Sequence, residues 1–334
     1  MSDYTIRPFR QSDRDSLLAC FNLVFGENNP EFRPRTAEEW SWAFEQNPAG
    51  QRIWVADCDG EVVAQYAGYP YRVRCDGELV TFSQILDSFA HPDHRRGLKR
   101  PGLFVQTGLD YLEATTGPGK DVVTFGWPIE EANRLGERYF NYEVVRTQLL
   151  LGRPVGEGPT DPLGLASESL KVEQQERVTD EVDALYERCS QGWGASVIRD
   201  STYLNWRYLD NPFFEYRVFG ARDASGTLRG LFVARTGDWL TPDVGLLMDW
   251  LVPYDDHDAA DVLHEAFLAS SRADGAQSLV TLFPEWCHWF GHFQSWLWTA
   301  YPSDLLTVGR QAHRWDMDYL RENWWYQLGE TDLV

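Results

Sequence analysis

The chain of 334 residues is poor in cysteine, and its five are scattered at Cys20, Cys58, Cys75, Cys189 and Cys287. None forms a C-x-x-C pair. An odd, dispersed set argues against a disulfide framework and against a structural zinc site, so these residues read as reduced apolar fillers. Cations are also in deficit. Lys and Arg number 30 against 51 Asp and Glu, for a net charge of −21. Residues 1–150 hold 16 basic and 22 acidic side chains, and residues 151–334 hold 14 and 29. With both halves acidic, a nucleic-acid backbone is a poor partner. The field either keeps the protein soluble or favours a cationic, amine-bearing partner. No apolar run approaches the ~20 residues of a membrane helix. The start, MSDYTIRPFRQSDRD, lacks an apolar signal core. Neither a membrane nor a secretory route is expected, and the cytoplasm is the default address. The histidines show no H-E-x-x-H or comparable spacing, so no metal is expected.

What remains is an ordinary globular composition, 43% hydrophobic and 24% charged, long enough for two domains at ~150 residues each. Periodicity predicts a strand at 4–9, a helix at 16–25, a hairpin from 53–58 and 62–69 around Asp59-Gly60, and a strand at 81–90. A helix at 102–114, a strand at 121–125 and a helix at 130–139 follow. This is mixed α/β. The stretch PVGEGPTDP is a linker by composition. After it the pattern starts again. WAFEQNP (42–48) matches WRYLDNP (206–212), LDSFAHP (86–92) matches MDWLVP (248–253), and VTFGWP (123–128) matches VTLFP (280–284). Such order implies one fold duplicated. The Trp-rich stretch 286–298 reads as core of the second copy, with an aromatic or sugar pocket as the alternative.

The stretch most informative about chemistry is ILDSFAHPDHRRGLKRPGLF (85–104). A strand ends at Pro92. A loop then carries Arg95, Arg96, Lys99 and Arg100 with Gly97 and Gly102, and a helix follows at Leu103. Glycines let N–H groups turn inward, a helix N-terminus is partly positive, and Arg offers paired donors, so this is an anion site.

These residues resemble the acyl-CoA motif of the GCN5-related N-acetyltransferase (GNAT) superfamily, V-x-P-x-x-R-x-x-G-x-G/A before a helix. Ala90, Pro92 and Arg95 fit. Gly102 comes late, and Gly97 is the other glycine able to fill the role. The first strand and turn (TIRPFRQSD), the hairpin (WVADCDGEVVAQYAGYP) and the later strand and helix (VTFGWPIEEANRLGERYFNYE) extend the resemblance over most of 3–152. The repeated W-x-x-x-x-N-P and the terminal WWYQLGETD resemble a bacterial subgroup with two such domains in tandem. The resemblance implies two mixed, mostly antiparallel sheets flanked by helices: an acyl-CoA-binding domain at 1–153, a linker at 154–162 and a degenerate domain at 163–334.

It further implies transfer of an acetyl group from acetyl-CoA to a primary amine by direct attack in a ternary complex. Pantetheine would bond the backbone of Ser88, Phe89, Ala90 and His91, and Asn133 would either bond pantetheine or cap a helix. The phosphates would rest on Arg95, Arg96, Gly97, Lys99, Arg100, Gly102 and Leu103. Asp87 is the candidate base, with a salt-bridged structural role as the alternative, and Val334 supplies a second candidate through its terminal carboxylate. The family's thiolate-protonating Tyr is absent, since Glu137 stands there; Tyr139 is the nearest substitute. The acceptor is expected to be a small amine, cationic or an amino sugar. Three rival readings are a longer acyl chain, acylation of an amino sugar in polysaccharide assembly, and a non-catalytic acyl-CoA sensor. In the second half Asp255, Asp256, Asp258 and Asp261 replace the basic loop, so no CoA is expected there.

Overall fold

A computed structural model of the chain describes residues 4–27, 29–95, 101–165, 167 and 169–331. The first half runs β1 (Thr5–Pro8), α1 (Arg14–Gly26), α2 (Ala37–Trp40), β2 (Arg52–Cys58), β3 (Glu61–Cys75) and β4 (Glu78–Ala90). It continues through α3 (Pro92–Arg95), α4 (Leu103–Thr115), β5 (Asp121–Gly126), α5 (Glu130–Leu135) and β6 (Glu143–Pro154). The second half runs β7 (Leu170–Gln175), α6 (Glu181–Cys189), β8 (Ala195–Val197), α7 (Ser201–Leu204), β9 (Arg217–Asp223), β10 (Leu228–Trp239) and β11 (Thr241–Leu251). Then come α8 (His257–Ala273), β12 (Ser278–Thr281), α9 (His288–Ser295), β13 (Thr299–Gln311), α10 (Met317–Asn323) and β14 (Trp324–Trp325). Each periodic segment read from the first half is present, with ends shifted by a few residues. β3 extends well past the expected end.

Two compact units emerge, and their boundaries depart from the expected 1–153 and 163–334. One comprises 1–73, 78–146 and 306–318; the other comprises 74–77, 147–305 and 319–334. The reason is strand exchange. In the first unit β5 pairs in parallel with β4, and its other edge is closed by β13, with Val308 opposite Gly126 and Gln311 opposite Val123. In the second unit β12 pairs in parallel with β11, and its other edge is closed by β6, with Thr281 opposite Leu151 and Ser278 opposite Pro154. The last strand of each repeat thus completes the sheet begun by the other. The expected linker 154–162 starts on β6 itself, and beyond it the Arg272 guanidinium donates to the carbonyls of Val155, Gly156 and Pro159.

The duplication is visible in detail. Thr36 caps α2 and Asp200 caps α7, each side chain accepting the N–H three residues on. Each short helix widens into a π-type turn, 41–45 and 205–209. The repeated Asn-Pro then makes the same turn: Asn47 Oδ1 accepts from Ala49 N (2.9 Å), and Asn211 Oδ1 from Phe213 N (2.8 Å). The second unit's core gathers Trp250, Trp289, Phe293 and Trp298, all buried, so the Trp-rich stretch is packing. Cys20, Cys75, Cys189 and Cys287 are buried thiols and Cys58 is half-buried, as expected of fillers.

Candidate acyl-CoA site

In the first unit the β4–β5 ladder covers only Thr81–Gln84 of β4, while β4 runs on to Ala90 and β5 stops at Gly126. The strands therefore part where the motif begins. At Asp87 the backbone turns left-handed (φ 51°), a conformation Asp tolerates better than most side chains. The Asp87 carbonyl accepts from Gln65 Nε2 (2.7 Å), and its carboxylate is gripped by both terminal nitrogens of Arg35. Arg35 also lies over the Phe21 ring, 4.3 Å from its centre.

Beyond this kink lies a cavity of about 750 Å³. Ser88, Phe89 and Ala90 form one wall, Arg95 and the first residues of α4 the second, and Ile129, Ala132, Leu135 and Tyr139 the third. Val24, Phe25, Glu27 and Asn29, at the end of α1, complete it. α4 opens on Gly102 with no side-chain cap and no acid in its first turn, so its N-terminal dipole is uncompensated. A Cβ on Gly102 would meet nothing within 4 Å, so the glycine leaves open space rather than relieving crowding.

The expected residues divide. Ser88, Phe89, Ala90, Arg95, Gly102, Leu103 and Tyr139 surround the cavity. Arg95 donates from Nε to the Ala90 carbonyl (2.7 Å) and approaches Glu27 at 3.5 Å. His91 is tied to the sheet: its N–H donates to Val63 O (2.8 Å), which removes that donor from any ligand. Ser88 Oγ accepts from Ala67 N and donates to Leu86 O, so the hydroxyl stitches the kink. Asn133 holds Glu137 through Nδ2 (3.1 Å) and does not border the cavity. Asp87 likewise does not border it, and its carboxylate is paired with Arg35. Arg96, Gly97, Lys99, Arg100 and Val334 lie outside the described residues. Burial pushes the nearby Cys20 thiol up to about 11, against the pull of Arg95.

Arg35, Gln65, Val24 and Phe25 escaped the sequence reading. A signal for Arg35 did exist. Arg35 stands seven residues before Trp42, and Arg199 seven before Trp206. Asp249, the repeat partner of Asp87, is paired with Arg199 at 2.9 Å.

In the second unit the counterpart of the basic loop carries its own anion. Asp256 caps α8, accepting from Ala259 N (3.2 Å), and is also bonded by Arg229 Nε (2.8 Å). Among the described residues no group of three or more His, Cys, Asp or Glu is placed to hold a metal. No helix among them is long and apolar enough to cross a membrane.

Comparison with known proteins points to an acyltransferase. The acetyltransferase (GNAT) domain family matches residues 5–131. Residues 5–131 thus carry the GNAT domain, and the rest of the chain repeats its pattern of elements. No curated protein matches. Among solved structures, a probable N-acyltransferase of Enterococcus faecalis is similar at 14% identity, covering 93% of this chain and 73% of that one, with a TM-score of 0.66. The Saccharomyces cerevisiae N-myristoyltransferase, solved with myristoyl-CoA, is similar at 11% identity over 95% of this chain and 80% of its own, TM-score 0.60. A tandem GNAT protein from the clavulanic acid pathway matches at 15% identity over 94% of this chain and all of its own length, TM-score 0.56. At such identities the likeness is one of fold.

Proposed function

We propose that the chain moves an acetyl or longer acyl group from acyl-CoA to a small primary amine, with the first unit as the CoA-binding unit. The observation that carries this reading is the cavity between the parted end of β4 and the uncapped start of α4. The amine nitrogen attacks the thioester carbon while both are held in one complex. The carbon–sulfur bond breaks, the thiolate leaves, and the nitrogen gives its proton to solvent water, so that amide and thiol are the products. Holding both reactants in place is the protein's main contribution. Arg95 and the α4 N-terminus, with the basic loop that follows Arg95, hold the phosphates. Tyr139 borders the cavity and is the candidate to protonate the thiolate. The carboxylates of Glu27 and Glu131 at its edge, with the net charge of −21, favour a cationic acceptor such as an amino sugar or polyamine. Phe25 and Phe89 offer an apolar surface for an acyl chain longer than acetyl. The second unit binds no CoA, because the Asp256 carboxylate already occupies the first turn of α8.

A non-catalytic acyl-CoA sensor is the second reading, favoured by Arg35 holding the Asp87 carboxylate. A CoA-release assay with acetyl-CoA and longer acyl-CoAs against an amine panel separates the two. Turnover with any amine supports the enzyme. Tight CoA binding without release under every pairing supports the sensor.

A further inference from the structure

Buried arginines in the second unit are satisfied with one exception. Arg199 is bonded to Asp249 and Glu330. Arg207 donates to the carbonyls of Gly329 and Thr331 at 2.9 and 3.0 Å. Arg235 is only 7% exposed, yet no hydrogen bond or ion pair to it is found among the described residues, and its Nε is buried without a partner. A guanidinium largely withdrawn from water with no anion beside it is costly, because only an aromatic ring faces its charge and its Nε has no acceptor. Burial holds its pKa below the usual arginine value, and no carboxylate pulls the other way.

The surroundings are built around this side chain. Arg235 lies on β10 just past the end of the β9 ladder, where Ala234 faces Arg217. Its Nη1 rests over Gly237, where a Cβ would come within 2.8 Å, so the glycine makes room for the guanidinium. Phe214 lies across its other side, 4.2 Å from ring centre to Cζ. The loop that carries Phe214 is shaped by Asn211, whose Oδ1 accepts from the N–H groups of Phe213 and Phe214. Phe214 also stands on the wall of an adjoining open hollow of about 330 Å³, with Tyr208, Asn211, Glu215 and Tyr216; Arg235 lies behind Phe214 and not on that wall.

We propose that Arg235 anchors an anion site in the second unit, taking the carboxylate or phosphate head of a small ligand, with Phe214 as its cover. The fork of a guanidinium binds either head through two parallel hydrogen bonds, which supplies the partner that the protein omits. This site is independent of the CoA reading, since it lies in the other unit and uses none of its residues.

The test is a thermal-stability titration of the full chain with inorganic phosphate and, separately, acetate, against chloride at equal ionic strength. Parent protein is expected to show a saturable rise in Tm with at least one anion, and the anion with the lower midpoint identifies the head group. Arg235→Met should lower the saturable rise by the share due to this site, leaving the general salt effect and any component that excess CoA removes, which belongs to the first unit. Arg235→Lys keeps the charge without the fork and should weaken binding at least about tenfold. Phe214→Ala, which leaves the guanidinium in place, should also weaken it. Identical curves for parent and Arg235→Met, or no saturable response in the parent, would overturn the proposal. Should Arg235→Met fail to fold, unchanged midpoints in both Arg235→Lys and Phe214→Ala overturn it equally.

Discussion

Asp87→Asn gives the sharpest test of how this site is built. Asn tolerates a left-handed backbone as well as Asp does, so the φ of 51° is kept and only the charge is lost. The pair with Arg35 is largely shielded, with side-chain exposures of 16% and 11%. A hydrogen bond to a charged group contributes about 1.5–3 kcal/mol. Stranding one partner of a fully buried pair costs about 3–5 kcal/mol. With this residual exposure the loss should fall between, at about 2–4 kcal/mol. Arg35→Met should cost a similar amount, and the two losses should not add. A double-mutant cycle by urea denaturation should therefore give a coupling of about 1–3 kcal/mol. In turnover, both variants should fall together, because each lets the kink at Ser88–Ala90 drift. A general base behaves differently: Asp87→Asn would lose ~10²–10⁴-fold in kcat with stability intact, and Arg35→Met would not follow. Stability of Asp87→Asn within 0.5 kcal/mol of the parent, a loss that small being about the ordinary scatter of surface changes, would refute the structural role.

Four further outcomes are expected. Arg95→Ala should weaken CoA binding by about 10–100-fold in calorimetry, the equivalent of losing one charge-assisted phosphate bond. Calorimetry on the full chain should return one CoA per chain; two would show that Asp256 does not block the second unit. Chains cut to 1–153 should lack a cooperative unfolding transition, since β13 is absent and an edge of β5 is left bare. Asp13 accepts from Arg7, which holds its carboxyl below the usual aspartate value. Its contribution is therefore present above that value and lost as pH falls through the lowered one. Asp13→Asn should cost about 1.5–3 kcal/mol at pH 7, with the gap to the parent closing below about pH 4 in acid-unfolding curves.

The sequence alone was enough for the local elements and for the duplication. Strand and helix periods, the Asp59-Gly60 turn and the Asn-Pro turns depend on neighbours a few residues apart, and such interactions are written in order along the chain. The anion motif was legible for the same reason: Ala90, Arg95, Gly102 and Leu103 are close in sequence and remain close around the cavity. Three matters were left to the tertiary structure. Which strand closes each sheet depends on pairing across more than a hundred residues: β13 closes on β5, and β6 on β12. The role of Asp87 depends on Arg35, 52 positions away; the repeated spacing to Trp42 and Trp206 marks the arginine but does not say which carboxylate it meets. Arg235 reads in sequence as one more polar residue of a strand; only the packing of Phe214 and Gly237 on it shows a buried cation without an anion. Long-range partners of charged groups are set by the fold, because a charge is bound to no spacing and takes whatever the folded chain brings within a few ångström.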